Sequence, residues 1–262
     1  MTMRKPSATN DSLERFAFEF TRFPEILPEN EGKFLKWVYP LNQKSFSHKV
    51  VLDAGCGNGR NSLWVLKYGA QEVVAFDNHP ATVSVARRNL EKFRNAKVLL
   101  QSIYDLPFRN KFDVVMCIGV LQHLENPQLA VKNLVRACNK GGTVVAWAYG
   151  YKGNEFIVRF INPLRSITSR LPLFLPYALA FGISLLLYSY LRLFRPQKGY
   201  FKLMSTYSFR LLFNIVFDHL IPKIANYWTK NEVSQLFRQA KLTKVKVFSV
   251  AGNTWTVLGI KI

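Results

Sequence analysis

Acidic residues are scarce in this sequence, with 16 Asp and Glu against 36 Lys and Arg, for a formal charge of +20 over 262 residues. That imbalance makes an anionic surface the expected neighbour, either nucleic acid or acidic lipid. Cysteine is nearly absent. The three present, Cys56, Cys117 and Cys138, fall in different expected elements without metal-ligand spacing. They read as small buried residues in a reducing compartment, and no metal site is expected. An apolar core is also missing from Met1–Asn10, so the opening does not resemble a secretory signal and the chain is expected to start in the cytosol. Its length suits one α/β domain with an insertion.

Against these absences stands one dense motif, Val50-Val51-Leu52-Asp53-Ala54-Gly55-Cys56-Gly57-Asn58-Gly59-Arg60. An apolar run ending in an acid and then in alternate glycines reads as a buried strand, a tight turn and a helix start. Glycine there allows positive φ and lets a ligand lie on the backbone, while the helix offers free N–H groups. The spacing G-x-G-x-G differs from the G-x-G-x-x-G of dinucleotide sites, and Asp53 suits a cation better than a pyrophosphate.

Further along, short β-branched runs alternate with amphipathic segments. Helices are expected over Asn61–Tyr68, Ala81–Phe93 and Pro127–Cys138, and a strand over Lys97–Leu100. Alternation of this kind implies a parallel sheet covered on both faces, with ligand at the carboxyl ends of the strands. Thr229 followed by Glu232 opens a capped helix to Ala240, and two alternating runs flanking Gly252-Asn253 read as a terminal β-hairpin. A nicotinamide-binding domain would lack that hairpin. Ahead of the motif, Ser12–Tyr39 is read as a loop and then a short helix, with Pro24 and Pro28 interrupting it.

The motif D-A-G-C-G-N-G resembles the first motif of class I S-adenosylmethionine-dependent methyltransferases. The resemblance continues through Val73–Asp77, whose acid stands 18 residues after Gly59, through Phe112–His123, and through Asn139–Val145, which is similar to the family's turn into the fifth strand. These ordered motifs cover Val50–Tyr149. They imply an α/β fold, a Rossmann-like seven-stranded methyltransferase sheet with a terminal antiparallel β-hairpin, and the residues after the fifth strand read as a helical, apolar and basic insertion. The implied organisation is an N-terminal cap over 1–49, a cofactor-binding core over 50–149, the insertion over 150–228, and a last helix and hairpin over 229–262.

The resemblance implies S-adenosylmethionine as cofactor and assigns its contacts to Asp53, Gly55, Cys56, Gly57, Asp77, Asn78, Ser102, Ile103 and Ile118. Asp77 would take the ribose hydroxyls. Where Ser102 stands the family often has an acid, so the adenine amino group meets a weaker acceptor. Phe18–Pro24 is similar to an aromatic segment that folds over the cofactor in some members. For proton transfer His123 is the first candidate, with Asp218 and His219 as a second pair in a segment similar to acceptor-lining sequences.

The insertion makes the chain particular. From Phe156 to Phe217 there is no acid, while Arg159, Arg165, Arg170, Arg192, Arg195, Lys198, Lys202 and Arg210 are all positive. Within it Leu171–Leu191 is an uncharged run of 21 residues, with Pro172 and Pro176 expected to break its first third. Its length would span a bilayer, but a single crossing would strand the terminal hairpin on the wrong side of the sheet it completes. The expectations are therefore an apolar element in the interface of an anionic membrane, on its inner face, or a lid over an apolar acceptor pocket. Nucleic acid fits less well, because the basic residues are interleaved with leucine. A polar acceptor with the insertion as plain core, and a non-catalytic scaffold, are the competing readings. The oligomeric state is not legible.

Overall fold

The computed structural model describes residues 8–197 and 199–262. Part of the polar opening Met1–Asn10 and the cation Lys198 therefore lie outside the described residues. In chain order the elements are α1 (Ala8–Arg22), α2 (Glu29–Val38), β1 (Val50–Ala54), α3 (Arg60–Lys67), β2 (Glu72–Asp77), α4 (Pro80–Leu90), β3 (Ala96–Leu100), β4 (Phe112–Ile118), α5 (Pro127–Ala137) and β5 (Cys138–Tyr149). A π-helical turn (Ile157–Ile161) then leads into α6 (Asn162–Thr168), α7 (Phe174–Phe194), α8 (Gly199–Met204) and α9 (Phe209–Leu220). The chain closes with α10 (Lys230–Gln239), β6 (Leu242–Val250) and β7 (Thr254–Lys261).

Two compact units result. Phe16–Glu155 with Ile224–Ile262 form one, and Phe156–Lys223 with the described residues up to Arg15 form the other.

The first unit holds a seven-stranded sheet in the order β3-β2-β1-β4-β5-β7-β6. Pairing is parallel from β3 to β5, and β7 runs antiparallel between β5 and β6. The apolar runs of the sequence become its centre, with Val51, Leu52, Val73, Val115, Met116, Val144 and Val145 all shielded from solvent, as strands covered on both faces require. Helix starts follow local chemistry. The His79 ring caps the Ala81 N–H, Asn126 caps Leu129, and Thr229 with Glu232 forms the expected reciprocal box.

Three local expectations give way. The stretch before Pro24 is helical rather than a loop, because Phe16 to Phe20 and their neighbours supply a helical apolar face, with Ala17 buried. Helix α5 stops at Ala137, and Cys138 already pairs with Phe112, with a bulge absorbing Asn139 to Gly142. A Cβ on Gly142 would stand 2.7 Å from Cys138 Sγ and 2.9 Å from the Asp113 carbonyl, which explains glycine there. Strand β6 begins at Leu242, ahead of the alternating run, with an irregularity between Thr243 and Lys246.

In the second unit α7 and α9 form an antiparallel pair. Tyr177 meets Phe217 and Phe213, Phe181 meets Phe213 and Phe209, and Tyr188 meets Phe209. Pro172 precedes α7, and Pro176 sits in its first turn, where a missing N–H costs nothing, so the expected break is absent. Arg165 is buried at 3% exposure and donates its Nε–H to the His219 carbonyl at 2.8 Å. It is therefore a strut of this unit and does not belong with the exposed cations.

Candidate active site

The carboxyl ends of β1, β2 and β4 converge on one edge of the sheet. At β1 the chain turns through Gly55, Gly57 and Gly59, all in the left-handed region at φ +72, +55 and +83. These angles are what the alternate glycines are for. The Gly55 and Cys56 N–H groups both donate to the Phe76 carbonyl, pinning the turn to the end of β2. Gly59 also lets α3 approach α4, since a Cβ there would stand 3.2 Å from Leu90.

Asp53 lies beneath this turn at 1% exposure. Its Oδ2 accepts from the Ser62 hydroxyl at 2.6 Å, while its buried Oδ1 has no hydrogen-bond partner. Burial, with the Asp77 charge adding, pushes its carboxyl up to about 6 in spite of the Ser62 hydrogen bond. An orphaned carboxylate oxygen at such a site is an open place for a cationic donor. Asp77, the last residue of β2, accepts the Gly57 N–H at 3.0 Å, and burial also raises its carboxyl while backbone N–H groups oppose the rise.

The remaining cofactor-site expectations fall around the same edge. Asn78 is exposed just past Asp77, and Ile118 is buried at the end of β4 opposite Trp147. Ser102 Oγ accepts from the Tyr104 N–H, and the Ile103 side chain turns into the core. Asn133 holds that loop by donating to the carbonyls of Ile103 and Tyr104 at 3.1 and 2.9 Å. Cys56 is buried, and desolvation pushes its thiol well above its ordinary value, so it is packing rather than nucleophile.

The N-terminal segment lies over this turn. The Phe20 ring covers Gly57, and the Pro24 carbonyl accepts from Asn58 and Asn89 at 3.4 and 2.8 Å.

Beyond β4, His123 Nδ1 is 2.9 Å from the Ile224 carbonyl and its ring stands edge-on to Phe16 and Tyr149. If that contact is Nδ1–H donating, Nε2 is the ring's acceptor. Tyr149 stacks on Tyr227 at 5.4 Å and meets Trp147 at 5.7 Å. The segment Ala225–Thr229 is stitched here by Asn226 N–H to the Gln122 carbonyl and Trp228 N–H to the Tyr149 carbonyl. Sequence reasoning missed Ser62, Trp147 and Tyr149 as site residues. Ser62 had a signal, since it follows Asp53 on the next helix's inward face. The aromatic cluster had none, because it depends on pairing β4, β5 and residues over a hundred positions apart.

Asp218 and His219 lie in the last turn of α9, in the other unit. Among the described residues no group of three His, Cys, Asp or Glu side chains could hold a metal ion.

A family model described as "Methyltransferase domain" matches residues 52–146. A tRNA U34 carboxymethyltransferase of Campylobacter fetus is 33% identical over 129 residues, 47% of this chain and 44% of that protein. A ubiquinone biosynthesis O-methyltransferase of Xanthomonas oryzae is 34% identical over 123 residues, 42% of this chain and 51% of that one. The chain thus spans about half the length of the curated relatives it matches. Among solved structures, a SAM-dependent methyltransferase of Thermotoga maritima superposes with TM-score 0.59 at 16% identity, covering 97% of this chain and 100% of that one. The Burkholderia thailandensis 1,6-didemethyltoxoflavin-N1-methyltransferase, bound to S-adenosylhomocysteine, does so with TM-score 0.58 at 14% identity, covering 99% and 93%. Residues 52–146 thus match a methyltransferase-domain model, and the chain has the fold of the solved class I S-adenosylmethionine-dependent methyltransferases.

Proposed function

We propose that the protein transfers a methyl group from S-adenosylmethionine to a small apolar acceptor, such as a quinone or isoprenoid precursor or a lipid-linked metabolite, on the cytoplasmic side of a membrane. The observation that carries the cofactor part is the buried, unpartnered Asp53 Oδ1 beneath a left-handed glycine turn, with Asp77 on the same edge. The residues fit the cofactor: a cationic amino-acid end suits Asp53, a diol suits Asp77, and the glycines leave the backbone open to contact. When bound, S-adenosylmethionine supplies a methyl group already activated by its sulfonium.

The chain's own residues then have to bind, align and exclude water. Phe20 and the Pro24 carbonyl close the cofactor edge. Tyr149, Tyr227 and Trp147 form an aromatic wall beside His123, suited to a planar or apolar acceptor. His123 would take a proton from a hydroxyl acceptor, a role that its ring contact with Tyr149 beside the aromatic wall supports. Asp218 and His219, in the last turn of α9, remain the second candidate pair for proton transfer. The apolar, basic insertion supports an acceptor that partitions into membranes.

The curated relatives are named for tRNA U34 and for ubiquinone biosynthesis, so an RNA acceptor is the reading to set against this one, and the net charge of +20 would favour it. Calorimetry with S-adenosylhomocysteine and NAD tests the cofactor, and absence of binding by the former in a folded sample overturns the proposal. Transfer of labelled methyl groups into organic-extractable rather than acid-precipitable RNA material from a mixed lysate tests the acceptor.

A further inference from the structure

Among the described residues one helix, α7, is long and apolar enough to cross a membrane, and its 21 residues at about 1.5 Å per residue nearly match a hydrocarbon core of roughly 30 Å. Only 22% of its most apolar window is buried. One side of it packs on α9 through Tyr177, Phe181 and Tyr188. Opposite that side, Leu175, Leu179, Leu186 and Leu193 form a helical stripe with exposures of 42%, 39%, 75% and 77%. A stripe of this size in water is costly unless something covers it.

We infer that α7 lies in the plane of an anionic bilayer, seated by this leucine stripe, and does not span it. The α9 partner excludes the crossing. Phe209, at the start of α9, packs on Phe181 and Tyr188, which bracket the middle of α7. If α7 spanned the hydrocarbon, the neighbouring exposed Arg210 and the Ser208 cap would be carried to its centre, where a cation is poorly tolerated. In the plane of the interface the same residues stay at headgroup depth.

Charge identifies the occupant. Arg170 is exposed ahead of α7, and Arg192, Arg195 and Lys202 are exposed at and beyond its end, so the stripe is bracketed by cations with no acid from Phe156 to Phe217. Arg192 lies over the Tyr188 ring at 4.8 Å, which directs it along the helix side rather than into solvent. An apolar stripe bordered by cations complements acidic lipid, whereas a second copy of the same cationic unit would repel. This rests on the proposed function only in naming where its acceptor would be met.

The test uses the full chain with vesicles of phosphatidylcholine and phosphatidylglycerol. Flotation at low salt should recover most of the protein, and raising salt to about 0.5 M, where screening falls below roughly 5 Å, should reduce the bound fraction severalfold. Arg170→Gln with Arg192→Gln and Arg195→Gln should weaken binding severalfold at low salt. Leu186→Glu with Leu193→Glu should abolish it. Nitroxides on Leu175→Cys, Leu186→Cys and Leu193→Cys, with the buried native cysteines left unlabelled, should report equal shallow depths. A Leu186 label much deeper than the other two would mean a span and overturn the in-plane assignment. Failure of the folded wild type to float, or lipid-free self-association lost in the leucine variants, would overturn the membrane assignment. S-adenosylhomocysteine calorimetry on the same samples separates that failure from failure of the cofactor reading.

Discussion

The Phe20 ring rests on Gly57 so closely that a Cβ on the glycine would come 2.7 Å from Phe20 Cζ. Two stretches separated by helix α2 and strand β1 thereby form one feature, a glycine turn with an aromatic cover. The Asn58 and Asn89 bonds to the Pro24 carbonyl hold the cover's trailing end. A cofactor on this turn would have to share the space with that ring or displace it, so Phe20 is the residue at which to test cofactor entry and retention.

Phe20→Ala should leave the fold intact and raise the dissociation rate of S-adenosylhomocysteine about tenfold, since most changes at a binding surface act on release. Gly57→Ala should cost roughly 1–2 kcal/mol of stability from its left-handed φ alone, and it should weaken cofactor binding further. Stopped-flow displacement and thermal melts read the two effects. An unchanged dissociation rate for Phe20→Ala would mean the ring is packing and not a lid.

Asp77 accepts the Gly57 N–H and stands ready for a diol, so its loss has two consequences. Asp77→Ala should lower cofactor affinity by ~2–3 kcal/mol, and Asp77→Asn, which keeps an acceptor oxygen but not the charge, by about half that. Titration calorimetry of the folded variants measures both. Equal affinity in all three proteins would remove Asp77 from the site.

His123 Nδ1 meets the Ile224 carbonyl, and the ring faces Tyr149. If it takes a proton from the acceptor, His123→Ala should reduce methyl transfer by at least about tenfold with cofactor affinity unchanged. His123→Asn, which can still donate to the Ile224 carbonyl, should restore stability without restoring turnover. Recovery of both by Asn would assign the ring to loop architecture.

The sheet was legible because its central strands are continuous apolar runs, its terminal hairpin is two alternating runs about Gly252-Asn253, and Thr229 with Glu232 marks the last helix start. Asp53, Gly55 and Gly57 were legible in the glycine motif and Asp77 through the family resemblance of the second strand, and all four fall at the carboxyl edge of β1 and β2. What escaped the sequence depends on long-range packing. Ala8–Arg22 has both polar and apolar helical faces, and a helix there is stabilised by partners that no local pattern names. Arg165 looked like its basic neighbours until the His219 carbonyl claimed it, and Pro176 looked like a breaker until α7 began two residues before it. The Trp147, Tyr149, Tyr227 and His123 cluster unites residues whose neighbourhood is set by β5 pairing and by the return of the chain after the insertion.

Asp53 gives the site a pH dependence whose sign is fixed. Burial raises its folded-state carboxyl to about 6, against an ordinary 3.8 in the unfolded chain, and Asp77 is shifted in the same direction. A carboxyl raised on folding contributes stability that is complete below about pH 4 and is lost as pH rises through 6. A gap of two units corresponds to ~3 kcal/mol at most. The ligand reverses the preference, because a cationic cofactor favours ionised Asp53. Affinity for S-adenosylhomocysteine, which keeps the ammonium group, should therefore climb as pH rises from 5 to 7, with proton release on binding near pH 6. Asp53→Asn should be more stable than the wild type at pH 7.5, lose that advantage by pH 4, and bind with a flat pH profile. The net charge of +20 also changes stability with pH, so the comparison is the difference between the two proteins at each pH. Calorimetry in two buffers of different ionisation enthalpy counts the protons released. A wild type that binds without proton release at pH 6 would mean that Asp53 does not face the cofactor's cation.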